Sequence, residues 1–132
     1  MKKWLLITAC MFIAFAGCGQ NKGRETKKAE YLKISAEEAK KMLDENDKII
    51  LIDVRSEAEF KEIHITGAIL LPLNEIDDKA ATILPDKDAV ILVYCRSGVR
   101  SRTAANALIL MGYTHVYDMG GINSWHYSTE KG

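Results

Sequence analysis

The sequence predicts an α/β domain: a mostly parallel central sheet of about five strands with helices on both faces. Two observations predict it. Short apolar runs rich in β-branched residues alternate along the chain with segments of helical period. The longest of those runs are unbroken, as strands buried on both faces require. Strands separated by helices imply right-handed crossovers and parallel pairing. In such sheets ligands bind beyond the carboxyl ends of the strands, which directs attention to the residue just after the central strand.

The elements follow in order. Tyr31-Leu32-Lys33-Ile34 is a short alternating strand. Ser35 and Glu38 form a capping box over a helix whose apolar stripe is Ala36, Ala39, Met42 and Leu43. Ile49-Ile50-Leu51-Ile52 is a buried strand, and Ser56 with Glu59 caps a second, short helix. Ala68-Ile69-Leu70-Leu71 is a strand stopped by Pro72, and Asn74 is placed to cap a helix running through Ile83. Pro85-Asp86-Lys87-Asp88 is a turn. Ala89 to Tyr94, the most apolar run outside the N-terminus, is the expected central strand. Ser101 to Met111 is helical, with Gly112 at the position that ends a helix. His115 to Met119 is the last strand, and Gly120-Gly121 leads into a short C-terminal helix holding Trp125.

Composition narrows the function. With 18 basic and 18 acidic side chains the chain has no net charge, so nothing calls for a nucleic-acid partner. Three cysteines cannot all pair, which excludes a disulfide-stapled scaffold. The length suits one domain, because single cores split only beyond about 250 residues.

The first 30 residues stand apart. Lys2 and Lys3 precede an uncharged run from Trp4 to Ala16, and 13 residues are too few to span a bilayer comfortably. Phe15-Ala16-Gly17-Cys18 resembles the lipobox of bacterial lipoproteins, with Phe15 where Leu is usual. The resemblance implies a signal peptide over 1–17 and a lipidated Cys18. Residues 18–30 then form a polar tether, and 31–132 the folded domain. The expected location is the bacterial cell envelope, lipid-anchored to a membrane and facing periplasm or exterior.

Cys95-Arg96-Ser97-Gly98-Val99-Arg100-Ser101 runs from the central strand straight into a helix. Backbone N–H groups in such a loop belong to no ladder, and the helix N-terminus adds about half a positive charge. If the loop curls, these groups converge into an anion cradle, and Gly98 supplies the backbone freedom for it. A cysteine at its floor is expected to titrate below the free value of about 8.5. Arg96 and Arg100 add permanent charge with fork-shaped donors. A free thiol in an oxidising compartment, with no partner once Cys18 is lipidated, argues for a reactive rather than a structural cysteine. His115 and His126 have no metal-site spacing, and neither metal nor cofactor is expected.

The loop CRSGVRS resembles that of single-domain rhodaneses, the thiosulfate-type sulfurtransferases. Four further stretches agree in order: Leu51-Ile52-Asp53-Val54-Arg55 followed by Glu59-Phe60, His64-Ile65-Thr66-Gly67-Ala68, Gly112-Tyr113-Thr114-His115-Val116, and Gly120-Gly121-Ile122-Asn123-Ser124-Trp125. The resemblance implies that Cys95 takes a sulfane sulfur as a persulfide and passes it to a nucleophilic acceptor. Arg96 and Arg100 would bind the anionic donor, and the N–H groups of Arg96, Ser97, Gly98, Val99 and Arg100 would hold the transferred sulfur. Asp53, Arg55, His64 and Ser101 are read as supports of the site, since a carboxylate and guanidinium at a strand end more often fix loops than react. Ile63 and Thr66 depart from the family's usual Gly and Pro, which questions the shape of that loop.

The implied partners are a small anionic sulfur donor, a small nucleophilic acceptor or protein persulfide, and the membrane; a monomer is expected. Cell-cycle dual-specificity phosphatases share a similar loop but place five residues between Cys and Arg. Here Arg96 to Val99 intervene, so the cradle is one residue smaller and suits sulfur better than phosphate. A non-catalytic binding module would typically lack the cysteine. A thiol-redox role would need a resolving thiol from outside the chain.

Overall fold

The structure is a computed structural model, and it describes residues 29–132. Apart from Ala29 and Glu30, the proposed leader, Cys18 and tether lie outside the described residues. The elements are β1 (Leu32–Lys33), α1 (Ala36–Glu45), β2 (Ile50–Asp53), α2 (Glu57–Glu62), β3 (His64–Ile65), β4 (Ile69–Leu70), α3 (Ile76–Ile83), β5 (Val90–Cys95), α4 (Val99–Leu110), β6 (His115–Gly121) and β7 (Thr129–Glu130).

Five strands form one parallel sheet in the order β1-β6-β5-β2-β4, with β5 at its centre as expected. The alternation of side chains across the pleat divides the core in two. Ile52, Val54, Ile91, Val93, Cys95 and Val116 pack against α3 and α4 on one face. Leu51, Leu92, Tyr94 and Met119 pack against α1 and Trp125 on the other. Both capping boxes form. Glu38 N–H donates to Ser35 Oγ at 3.1 Å and Glu59 N–H to Ser56 Oγ at 3.2 Å, and each glutamate accepts from its cap in return.

Four expectations need correction. Asn74 does not cap α3: Leu73–Glu75 form a 3-10 turn, and Glu75 precedes the helix without a side-chain cap bond. The apolar anchors Leu73 and Ile76 set that entry through packing, which a cap pattern does not register. Helix α4 begins at Val99, two residues before Ser101, because Gly98 takes a left-handed φ of 108° and turns the chain directly into the helix. Cys95 is the last residue of β5 rather than the first beyond it. The C-terminus is not helical: β6 continues through Gly121, Ile122–Ser124 make a single 3-10 turn, and Trp125 follows it. The chain then returns as β7 to pair antiparallel with β3, a two-residue ladder too short to leave a periodic trace.

Candidate active site

The β5–α4 loop curls because Gly98 reverses it and because β6 holds its flank. Cys95 stands opposite Gly121 in the β5–β6 ladder, just past a register shift. A Cβ at Gly121 would fall 2.0 Å from the Arg96 carbonyl oxygen, so only glycine admits the loop. Asn123 N–H donates to that same oxygen at 3.3 Å and fixes its direction.

Cys95 is a free thiol, 1% exposed, at the floor of the curl. Gly98 N–H donates to its sulfur at 3.0 Å. Burial pushes the thiol up, but donors from Ser101, Gly98 and Ser97 outweigh it, and the thiol titrates below its ordinary value. Ser101 is buried at the start of α4, and its Oγ donates within 2.7 Å of Asp118 Oδ1. Gly120 N–H also donates to that carboxylate oxygen, at 2.9 Å.

The two arginines differ. Arg100 places both guanidinium nitrogens on Glu59, Nη1 to Oε1 at 2.7 Å and Nη2 to Oε2 at 3.0 Å. That fork holds the Glu59 carboxyl down at about 2. Arg96 is exposed and lines a cleft of about 170 Å³ with Arg55, Glu59, Ile63 and Asn123. Of the two expected donor ligands, Arg96 is therefore open to a new anion, whereas Arg100 already holds a carboxylate.

Beneath the loop, Asp53 and Arg55 form a buried two-point pair, with Arg55 Nη2 2.8 Å from Asp53 Oδ2. Arg55 Nη2 also donates to Ile63 O at 2.6 Å. Tyr94 donates to Asp53 at 2.7 Å and accepts from Ile65 N–H at 3.0 Å. Burial, first, and the neighbouring Asp53 keep that phenol protonated far above its usual range. His64 stacks on Phe60 at 3.7 Å, with Nδ1 2.8 Å from Phe60 O and Nε2 3.1 Å from Glu130 Oε1. Asp53, Arg55 and His64 thus tie β2, α2, β3 and β7 together, and none of them hydrogen-bonds the sulfur.

Three participants were not singled out from the sequence as parts of the site: Glu59 as the partner of Arg100, Tyr94 as the link to Asp53, and Asp118 behind Ser101. Glu59 carried a signal, since it lies in a motif beside Asp53 and Arg55. Asp118 carried none, because only the parallel pairing of β5 with β6 brings it to the loop.

The comparisons with known proteins bear on the family and the fold. The model of the family described as "Rhodanese-like domain" matches residues 35–128. The chain is 41% identical over 81 residues to the thiosulfate sulfurtransferase PspE of Escherichia coli, covering 61% of this chain and 78% of that one. It is 35% identical over 105 residues to the thiosulfate sulfurtransferase GlpE of Coxiella burnetii, covering 75% and 92%. A solved structure titled "rhodanese with anions from E. coli" superposes with a TM-score of 0.61 at 39% identity, over 64% of this chain and 99% of that one. A five-stranded parallel sheet with a curled loop closed on a buried thiol, a family model that matches residues 35–128, and relatives matched over most of their length leave one assignment: the chain belongs to the rhodanese family.

Proposed function

We propose that the protein is a sulfurtransferase that moves a sulfane sulfur from an anionic donor such as thiosulfate, through a Cys95 persulfide, to a thiophilic acceptor such as cyanide or a thiol. The observation that carries this reading is the Cys95 sulfur, buried yet met by Gly98 N–H at 3.0 Å, in a loop with only four residues between Cys95 and Arg100. The Cys95 thiolate attacks the outer sulfur of thiosulfate. The sulfur–sulfur bond breaks, and sulfite leaves with its electron pair. The acceptor then attacks the terminal sulfur of the persulfide, and Cys95 departs as a thiolate stabilised by the loop N–H groups.

Arg96, exposed at the cleft, receives the donor oxyanion, and Arg100 contributes charge from its anchored position on Glu59. The names of the E. coli and Coxiella relatives support thiosulfate as the donor class. We place the enzyme in the cell envelope, held through lipidated Cys18, on the strength of the leader and the Ala-Gly-Cys stretch.

A thiosulfate:cyanide sulfurtransferase assay tests the proposal. The wild type should form thiocyanate with ping-pong kinetics, and Cys95→Ala should form none. Arg96→Ala should lower donor efficiency roughly ten- to hundredfold, the worth of a charge-assisted contact, and change the cyanide step less. Thiocyanate formation by Cys95→Ala at the wild-type rate would refute the assignment of the nucleophile.

A further inference from the structure

The cleft beside the Cys95 loop carries little surplus charge for a site that receives anions. Four charged side chains line its 170 Å³: Arg55, Glu59, Glu62 and Arg96. Arg55 is engaged by Asp53, and Glu59 by Arg100. Arg96 and Glu62, one of each sign, form no ion pair among the described residues.

The Glu59–Arg100 contact sets this balance. Arg100 stands in the first turn of α4 and meets both carboxylate oxygens, at 2.7 and 3.0 Å. Glu59 is held from behind by its own helix cap, because Oε1 also accepts from the Ser56 hydroxyl at 3.1 Å. The carboxylate therefore cannot follow Arg100 toward a ligand. A donor that approaches the Arg100 nitrogens approaches the carboxylate as well, and the two opposite charges largely cancel at its distance. Glu59 stays ionised down to about 2, so the cancellation holds wherever a thiolate is present. Ile63, 40% exposed, and Ile122 line the same cleft. They offer apolar surface to an organic group, which thiosulfate lacks.

We propose that Glu59 is a specificity-determining residue: by neutralising Arg100 it leaves Arg96 as the free guanidinium at the loop, and so favours organic sulfane-sulfur donors of one negative charge over dianions such as thiosulfate. Organic thiosulfonates and persulfide anions have that chemistry. The inference rests on the proposed function for its donor step and refines it. Thiosulfate is used, but less efficiently than two free arginines would allow.

The test compares thiosulfate with methanethiosulfonate, a monoanion with the same outer sulfur, on the full chain in detergent with cyanide saturating. The Cys95 thiolate attacks the outer sulfur of either donor. The sulfur–sulfur bond breaks, and sulfite or methanesulfinate leaves with its electron pair. Glu59→Gln keeps a residue suited to the helix cap and one acceptor oxygen, but it removes the charge that cancels Arg100. It should raise kcat/KM for thiosulfate about tenfold and for methanethiosulfonate about threefold, because the Coulomb term scales with donor charge. Arg100→Gln, which unmasks Glu59, should lower the thiosulfate value about tenfold. Combining the two should return it to within about twofold of the wild type, since a neutral pair replaces a neutralised one. A role confined to holding α2 against the loop predicts losses in all three variants and no such return.

An unmoved or lowered thiosulfate value in Glu59→Gln overturns the proposal, as does an equal gain for both donors. If Glu59→Gln does not fold, the double variant decides: a thiosulfate value about tenfold below the wild type means that Arg100 already served the donor. Protection of Cys95 from iodoacetamide by sulfate and by methanesulfonate reads the same dianion-to-monoanion ratio without turnover. A chain that transfers no sulfur yet shows the shifted ratio in Glu59→Gln refutes the proposed function and keeps the role of Glu59. An unshifted ratio refutes that role.

Discussion

At the residue scale the site is organised by groups that satisfy one another before any substrate arrives. Arg100 carries its charge to the loop with both nitrogens already on Glu59, and Glu59 is ionised throughout the useful pH range. The sign of the resulting pH dependence follows. The folded-state value of about 2 lies below the ordinary 4.5. The pair therefore contributes stability that is fully present above the ordinary value and is lost as pH falls through the depressed one. Glu59→Gln should lower the urea midpoint at neutral pH, and the gap between variant and wild type should close as pH falls to about 2. A gap that persists undiminished at that pH would mean that the variant acts through its capping role on α2 and not through the ion pair. Both halves of that residue's work are visible, because Oε1 serves Ser56 as well as Arg100.

At the scale of elements, the loop is shaped less by its own sequence than by β6. Gly121 leaves room for the Arg96 carbonyl, and Gly98 approaches the Gly120 Cα. Gly121→Ala should push the loop off β6, because the methyl would meet backbone that has no flexible end to yield. We expect a domain that still folds, with sulfur loading of Cys95 reduced at least tenfold and the thiol titrating closer to its free value, read by mass spectrometry and by alkylation. Unchanged loading would show that the loop relaxes at no cost. This dependence also explains what the sequence could reveal. The strands β2 and β5 announce themselves through unbroken apolar runs, and α1 and α2 through capping boxes that both form. Cys95 and its loop were legible because position at the end of a central strand and a Cys-to-Arg spacing are local facts. The pairing of Arg100 with Glu59, and of Ser101 with Asp118, depends on the order in which strands assemble, and no local pattern encodes it. The β3–β7 ladder was missed for a further reason: two residues per strand are too few for a period of two to show.

At the scale of the whole molecule, the sheet separates two cores and presents its chemistry at one end. Cys95 and Asp53 both end their strands there, so the nucleophile and the Asp53–Arg55–Tyr94 brace share a single edge. Among the described residues no helix is long and apolar enough to cross a membrane. The proposed attachment rests on Cys18, which lies outside the described residues. Cys18→Ser should release the protein from the membrane fraction or block its processing; a variant processed and retained like the parent would refute lipidation at that residue. The central claim is narrower than location and is tested on the sulfur itself. The measurement is the mass of the Cys95 peptide after incubation with thiosulfate and again after cyanide. The account predicts a gain of one sulfur atom on Cys95, then its loss as thiocyanate. No persulfide on Cys95, together with hydrolysis of a phosphate ester by the same preparation, would contradict it.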